Sequence, residues 1–298
     1  MADGKVAICA AGLKGAVFAS GLLGFGVGIG RIVSYHQPDD ASHSFERLQH
    51  LADEAGAAFE ANKRPQIAHD ILTFIVGWQF LLDDTGPNAV VFHDSLLPRY
   101  RGFAPTVTSL INGEAQIGVT ALAPAAGMDE GPILARQAVE IRYPIKIARA
   151  LELQSRAMVD LAVVIHDRWK RGDLSAVEQD HSKATYSMWR DASDYVIDWS
   201  RSADQIARFI DAVGYPYAGA RTADGKDIVI VHDATVVGDL AYELREPGKV
   251  SRLEDGRPIV ICGAGLLRLD RCTNVDGSTH EFKKLRLRLA PADDPMEA

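Results

Sequence analysis

The stretch VVFHDSLLPRYRGFAP, Val90 to Pro105, decides how the rest of the chain is read. Together with Ala89 its first residues make a short apolar run, AVVFH, which ends on His93 and passes directly into a polar, proline-containing loop. A short apolar run bounded by turn signals is a strand buried on both faces. The C-terminal end of such a strand is where an open α/β sheet presents chemistry. A histidine there has two readings: an imidazole packed as part of the structure, or a proton carrier whose usual pKa lies near cellular pH.

Upstream, KVAICA (Lys5 to Ala10) reads as a buried first strand and AGLKG (Ala11 to Gly15) as the turn after it. A helix follows through about Leu23, and a second strand lies within Gly28 to His36. QPDDASHS (Gln37 to Ser44) is a polar connection. Ser44 to Gly56 then sets Phe45, Leu48, Leu51 and Ala52 at helical spacing. AHDILTFIVG (Ala68 to Gly77) is compact and apolar. Downstream, strands are expected at Ile117 to Leu122 and Ala138 to Ile141, and a long helix at Ile145 to Ile165. Short apolar runs alternating with helical patterns predict a Rossmann-like domain of parallel strands with both faces covered.

Asp173 to Asp194 is more polar and reads as a linker; Ser202 to Ala212 reads as a small helix. DIVIVHDATVV, GRPIVICGAG, LLRLDRC and KKLRLRLA follow as short alternating pieces separated by Gly, Pro and Asp. They predict a smaller C-terminal β-domain, a partly open, OB-like barrel. The expected domains are residues 1–200, with the linker, and 201–298.

Composition narrows the function. The 298 residues carry a formal net charge of −8, which supplies no broad footprint for nucleic acid. Basic residues Arg99, Arg101, Arg142, Lys146 and the run Lys283, Lys284, Arg286 and Arg288 are scattered against that background. Cys9, Cys262 and Cys272 make no closely spaced metal-ligand pattern and no disulfide scaffold, so no metal is expected and a reducing, cytoplasmic compartment fits. The apolar stretch 6–30 is broken by Lys14 and many glycines, which makes it poor material for a signal peptide or a membrane-spanning helix. Gly24, Gly26, Gly28 and Gly30 precede an apolar strand instead of following one, so they read as a helix end with tight turns and not as a phosphate cradle.

A second run, APAAGMDEGPIL (Ala123 to Leu134), places Asp129 between Gly127 and Gly131, after the strand expected at Ile117 to Leu122. Such an aspartate can be a solvated turn residue. Beside His93 it can orient the imidazole and stabilise its charged form.

HDSLLPRYRGFAP, the GVT at Gly118 to Thr120, and GMDEGPIL together resemble the catalytic domain of the N10-formyltetrahydrofolate-dependent formyltransferases. IDWS, DAVGYPYAGA and PGKV resemble the two-domain branch of that family, which contains methionyl-tRNA and aminosugar formyltransferases. In the family an Asn, His, Asp trio carries the reaction. The resemblance assigns the His to His93, two residues before SLLP, and the Asp to Asp129 in MDEG. It assigns the Asn to position 91, where this chain has Val91. Valine has no donor or acceptor, and loss of such a donor costs about 3–4 kcal/mol in the transition state unless something replaces it. Asn88, five positions before His93, lies elsewhere on or before the strand.

GWQFLL, Gly77 to Leu82, resembles the segment that holds the pterin. Gly77, Trp78, Phe80, Leu82, Met128 and Asp129 are therefore the expected folate contacts, with the alternative that Trp78 and Phe80 close the core. Ser95, Arg99, Tyr100 and Arg101 are candidates for the acceptor pocket, an Arg suiting a phosphate or carboxylate.

The resemblance implies formyl transfer from N10-formyltetrahydrofolate to a primary amine. Ser34 to His50 lacks the basic character of an RNA-contacting insertion, and WRDASDYVIDWS (Trp189 to Ser200) is similar to the aminosugar branch. A small-molecule amine, such as an amino sugar or specialised metabolite, is therefore preferred to tRNA. Two alternatives stay open: a folate formyl hydrolase or transferase of a related acyl group, and a non-catalytic folate-binding regulator. A homodimer is compatible with this reading.

Overall fold

The computed structural model describes residues 4–37, 40–282 and 284–292; Pro38 and Asp39 of the polar connection, and Lys283 of the basic run, lie outside them. The chain divides into two compact units. The first comprises residues 1–106, 115–141 and 148–188, and the second 107–114, 142–147 and 189–298.

The first unit is built on a seven-stranded sheet. Its strands are β1 (Val6–Ala10), β2 (Ile29–Ser34), β3 (Ala58–Ala61), β4 (Thr73–Val76), β5 (Ala89–His93), β7 (Gln116–Leu122) and β8 (Ile133–Glu140), in the order β3-β2-β1-β4-β5-β7-β8. A separate parallel bridge joins β6 (Arg101–Gly102) to β9 (Tyr186–Ser187). The helices are α1 (Gly12–Gly24), α2 (Ser44–Ala55) and α4 (Ile147–Lys170), with α3 (Pro105–Asn112) beginning in this unit. The five strands from β3 to β5 are parallel, and β7 and β8 turn antiparallel. The expected all-parallel sheet is therefore mixed. The last strand is also longer than Ala138 to Ile141, because β8 pairs with β7 from Leu122↔Ile133 to Gln116↔Glu140.

Strand parity sorts the core. Val6, Ile8 and Ala10 of β1, and Val90 and Phe92 of β5, join one large cluster with Phe18 of α1, Leu48 of α2 and Met158 of α4. Cys9 of β1 and Ala89 of β5 join a smaller cluster with Val33, Ile67 and Ile75, against which Trp78, Leu82 and Val91 pack. Successive strand residues point to opposite faces. All three helices therefore contribute to one face of the sheet, while irregular chain contributes the cover on the other. The expected cover on both faces is present, helical on one side only. No helix among the described residues is long and apolar enough to cross a membrane.

The second unit is a five-stranded antiparallel sheet with helix α5 (Ala203–Val213), which opens on a capping box between Ser202 and Gln205. Its strands are β10 (Ala220–Asp224), β11 (Asp227–Val237), β12 (Val250–Glu254), β13 (Arg257–Ile261) and β14 (Leu266–Asn274), ordered β10-β11-β14-β13-β12. The segment KKLRLRLA forms no strand among its described residues; instead it bonds to both sheet edges. Val250 N donates to Leu287 O at 2.9 Å and Leu289 N to Gly248 O at 2.8 Å, while Ala223 and Ala290 exchange two backbone bonds at 2.9 and 3.1 Å. The tail thereby bridges the open sides of the sheet, giving the partly closed barrel. All three cysteines are buried and free, and burial pushes each thiol up to about 12.

Candidate active site

His93 is the last residue of β5. By parity with Ala89 and Val91 it points to the face with the smaller cluster, which the helices leave uncovered. It is 5% exposed, and both ring nitrogens face oxygen atoms. Nε2 lies 2.8 Å from the Tyr100 carbonyl, which can only accept, so that nitrogen carries a proton. Nδ1 faces Asp129 Oδ2 at 3.4 Å. In the neutral ring Nδ1 then carries the lone pair, and once protonated it becomes a donor facing that carboxylate.

The loops that supply these partners are held in unusual backbone conformations. Tyr100, Ala104 and Asp129 have φ of 59°, 46° and 56°, in the left-handed region where non-glycine residues are strained. Tyr100 is anchored by its N–H, which donates to Thr185 Oγ1 at 2.9 Å. Asp129 Oδ2 accepts from the Gly102 N–H at 2.8 Å. A side chain at Gly102 would strike Ser187 O at 2.6 Å, so glycine is required where that amide reaches the carboxylate.

Gln179 braces the Asp129 turn from a distance of fifty residues in sequence. Its Nε2 donates to both Asp129 O and Gly131 O at 2.7 Å, and its Oε1 accepts from Arg101 at 2.7 Å. Arg101, expected at the acceptor pocket, is 1% exposed; its terminal nitrogens meet Gln179, His181 at 3.0 Å and Glu130 at 3.4 Å, while its Nε has no hydrogen-bond partner among the described residues. Ser95 is likewise turned inward, its hydroxyl donating to Arg99 O at 2.6 Å. Arg99 is exposed, with its guanidinium 5.0 Å from the Tyr100 ring centre, and Met128 is 42% exposed.

On the opposite face of the sheet stands a polar group that the sequence reading did not single out. Lys14 Nζ meets Asp94 Oδ1 at 2.8 Å, and Thr106 Oγ1 lies 2.7 Å from Asp94 Oδ2. Burial alone would raise the Asp94 carboxyl. The charges of Lys14 and His93 and the hydrogen bonds from Lys14 and Thr106 prevail and bring it down to about 2. Gln154 donates to the Asp94 and Gly118 carbonyls at 3.1 and 2.9 Å.

GWQFLL leaves β4 as irregular chain. Gly77 has φ of 66°, and a Cβ there would lie 2.4 Å from Ala11 O, so no other residue fits that turn. Trp78 and Leu82 pack on the smaller cluster beside Val91, and Phe80 lies edge-on to Tyr35 at 5.1 Å. Trp78 Nε1 is buried with no hydrogen-bond partner among the described residues. These features suit a flat heterocycle, which needs an apolar wall, irregular backbone to meet its polar edge, and donors not already committed. Asn88 is committed elsewhere. Its Nδ2 donates to His69 O at 2.6 Å, at the opposite end of β5 from His93.

A two-domain architecture with a histidine and an aspartate paired at the sheet's C-terminal edge defines the class. A formyl transferase model matches residues 74–158, and the model of the formyl transferase C-terminal domain matches residues 191–284. The chain belongs to the formyl transferase family.

Among individual proteins, it is 35% identical over 181 residues to a methionyl-tRNA formyltransferase of Roseiflexus sp. (strain RS-1). That match takes in 60% of this chain and 54% of the relative, so the chain spans about half the length of this curated relative. Its fold is similar to that of an N-formyltransferase from Helicobacter canadensis in complex with folinic acid and dTDP-3-aminofucose, with a TM-score of 0.67 at 14% identity over 93% of this chain and 99% of that one. It is also similar to WlaRD, a sugar 3N-formyl transferase crystallised with dTDP and 5-N-formyl-THF, with a TM-score of 0.65 at 14% identity over 94% and 98% of the two chains.

Proposed function

We propose that this protein transfers a formyl group from N10-formyltetrahydrofolate to the primary amine of a small molecule of the amino-sugar class. The observation that carries this reading is the clamping of His93. Tyr100 fixes the proton on Nε2, which leaves Nδ1, the nitrogen facing Asp129, able to take a proton.

Bound N10-formyltetrahydrofolate supplies a formyl carbon open to attack by an amine. Trp78, Leu82 and the backbone of residues 77–82 would hold the folate, with Phe80 and Met128 as further apolar contacts. His93 accepts the proton that the amine gives up, and Asp129 stabilises the resulting imidazolium. The Gly102 N–H and Gln179 keep the Asp129 carboxylate and its turn in position. Val91 shares the face of His93 and offers no donor to the oxygen on which charge grows. A backbone N–H or an ordered water must act there, and the Trp78 indole N–H, buried with no hydrogen-bond partner among the described residues, is a candidate donor on this wall.

The net charge of −8, the dTDP-3-aminofucose ligand of one fold neighbour and the dTDP ligand of another support a small acceptor. The 35% identity to a methionyl-tRNA formyltransferase favours a second reading, with aminoacyl-tRNA as acceptor. Purified protein incubated with N10-formyltetrahydrofolate and a panel of nucleotide-linked amino sugars or methionyl-tRNA separates the two by mass spectrometry. The first reading expects a formylated amino sugar and no formylated tRNA. Free formate without a formylated product would indicate hydrolysis, and failure to bind reduced folate would remove the basis for both readings.

A further inference from the structure

We propose that Lys14 and Asp94 are a positioning pair that fixes His93 from the opposite face of the sheet, a role that rests on reading His93 as the proton-handling group. Asp94 follows His93 just past the end of β5, and its carboxylate turns to Lys14 of α1, a helix packed on the face away from His93. In front, His93 touches one carbonyl and one carboxylate, both on loops that carry left-handed residues. Behind, residue 94 is tied to three helices. Its carboxylate receives Lys14 of α1 at 2.8 Å and Thr106 of α3 at 2.7 Å, and its carbonyl receives Gln154 of α4 at 3.1 Å. Gln154 also bonds to Gly118 O of β7, the strand paired with β5, so the same side chain grips both strands.

Stability alone does not require a charged pair at this place. Lys14 stands in the first turn of α1, where the helix dipole disfavours a cation, and it interrupts an otherwise apolar run. Replacing a largely buried ion pair by apolar residues is often neutral or stabilising, whereas removing one partner is costly. What the pair supplies is a fixed geometry at the residue following His93. The charged groups facing His93 are then Asp129 in front and Asp94 behind, with Lys14 offsetting Asp94.

The full chain is compared as parent, Asp94→Ala, Lys14→Met and the double variant Lys14→Met/Asp94→Ala. Four readouts are followed: thermal midpoint, affinity for 5-formyltetrahydrofolate, the ¹⁵N imidazole spectrum of His93, and kcat with KM. Each single variant is expected to lower the midpoint, because it strands a buried charge. The double variant is expected to recover the midpoint and folate affinity. Its His93 should nonetheless lose the uniform Nε2–H form expected of the parent, and kcat should stay about 10²-fold low at unchanged KM. A double variant with the parent's His93 spectrum would overturn the proposal. That spectrum is read without turnover, so the pair can fail while formyl transfer stands, and formyl transfer can fail while the pair stands.

Discussion

The two faces of the seven-stranded sheet are built differently. One carries Phe18, Leu48, Phe74, Phe92 and Met158 in a continuous core to which three helices contribute. The other carries five buried residues with Trp78, Leu82 and Val91 packed against them, and His93 stands at its edge. The first face stabilises the fold, and the second is the one to which the proposed function assigns the folate. A single strand, β5, contributes to both, with Val90 and Phe92 on one side and Ala89, Val91 and His93 on the other. Substitutions one residue apart should therefore have unlike effects.

The largest expected effect lies on the open face. His93→Ala should slow formyl transfer by about 10²–10⁴-fold, with a thermal midpoint close to the parent's. A rate within tenfold of the parent would remove His93 from the chemistry. On the covered face, Phe74→Ala should cost about 3–5 kcal/mol of stability, measured by denaturant unfolding. Phe74 is fully buried and packs edge-on to Phe18, with ring centres 5.8 Å apart. Folate affinity per folded molecule should be unchanged in that variant.

A smaller effect is read in acid. The Asp94 carboxyl is brought from an ordinary 3.8 to about 2 in the folded protein. A depressed folded pKa contributes stability that is present above the unfolded value and lost as pH falls through the folded one. On the order of 2 kcal/mol should therefore disappear between about pH 5 and pH 2. Asp94→Asn should flatten that limb of the stability curve. An unchanged acid limb would mean that the pair with Lys14 is not formed in solution.

The smallest effect falls on the support of the Asp129 turn. Gln179→Ala removes two bonds at 2.7 Å and leaves Arg101 with one partner fewer, at a cost of about 1–3 kcal/mol. It should lower kcat more than it raises the KM for folate. An effect on stability alone would make Gln179 a brace of the linker and not of the site.

Much of this was legible in the sequence because it is local. AVVFH, KVAICA and the helix at Ser202 to Ala212 are periodic patterns, and the structure has β5, β1 and α5 there. His93 and Asp129 were singled out by their places at the ends of two strands, and the fold brings their side chains within 3.4 Å. What was missed depends on partners far apart in sequence. Lys14 and Asp94 are eighty residues apart, and Gln179 reaches back to the Asp129 turn; neither has a local signature. Arg101 was a candidate for the acceptor pocket because it follows His93 in the loop and an arginine suits a phosphate or carboxylate. Its burial depends on three partners that only the folded chain brings together. Period-2 alternation shows that a strand has two faces, but it does not show which one the helices cover. The strand-like KKLRLRLA gave an alternating signal without forming a strand, because its described residues bond to two sheet edges one bridge at a time.

The most direct test of the account is a crystal structure of the protein with 5-formyltetrahydrofolate. The account predicts the pterin against Trp78 and Leu82, with the formyl group turned toward His93 between Val91 and Asp129. A donor or water should also stand at the formyl oxygen, where Val91 has none to give. Folate bound away from this face, or a formyl group directed away from His93, would contradict it.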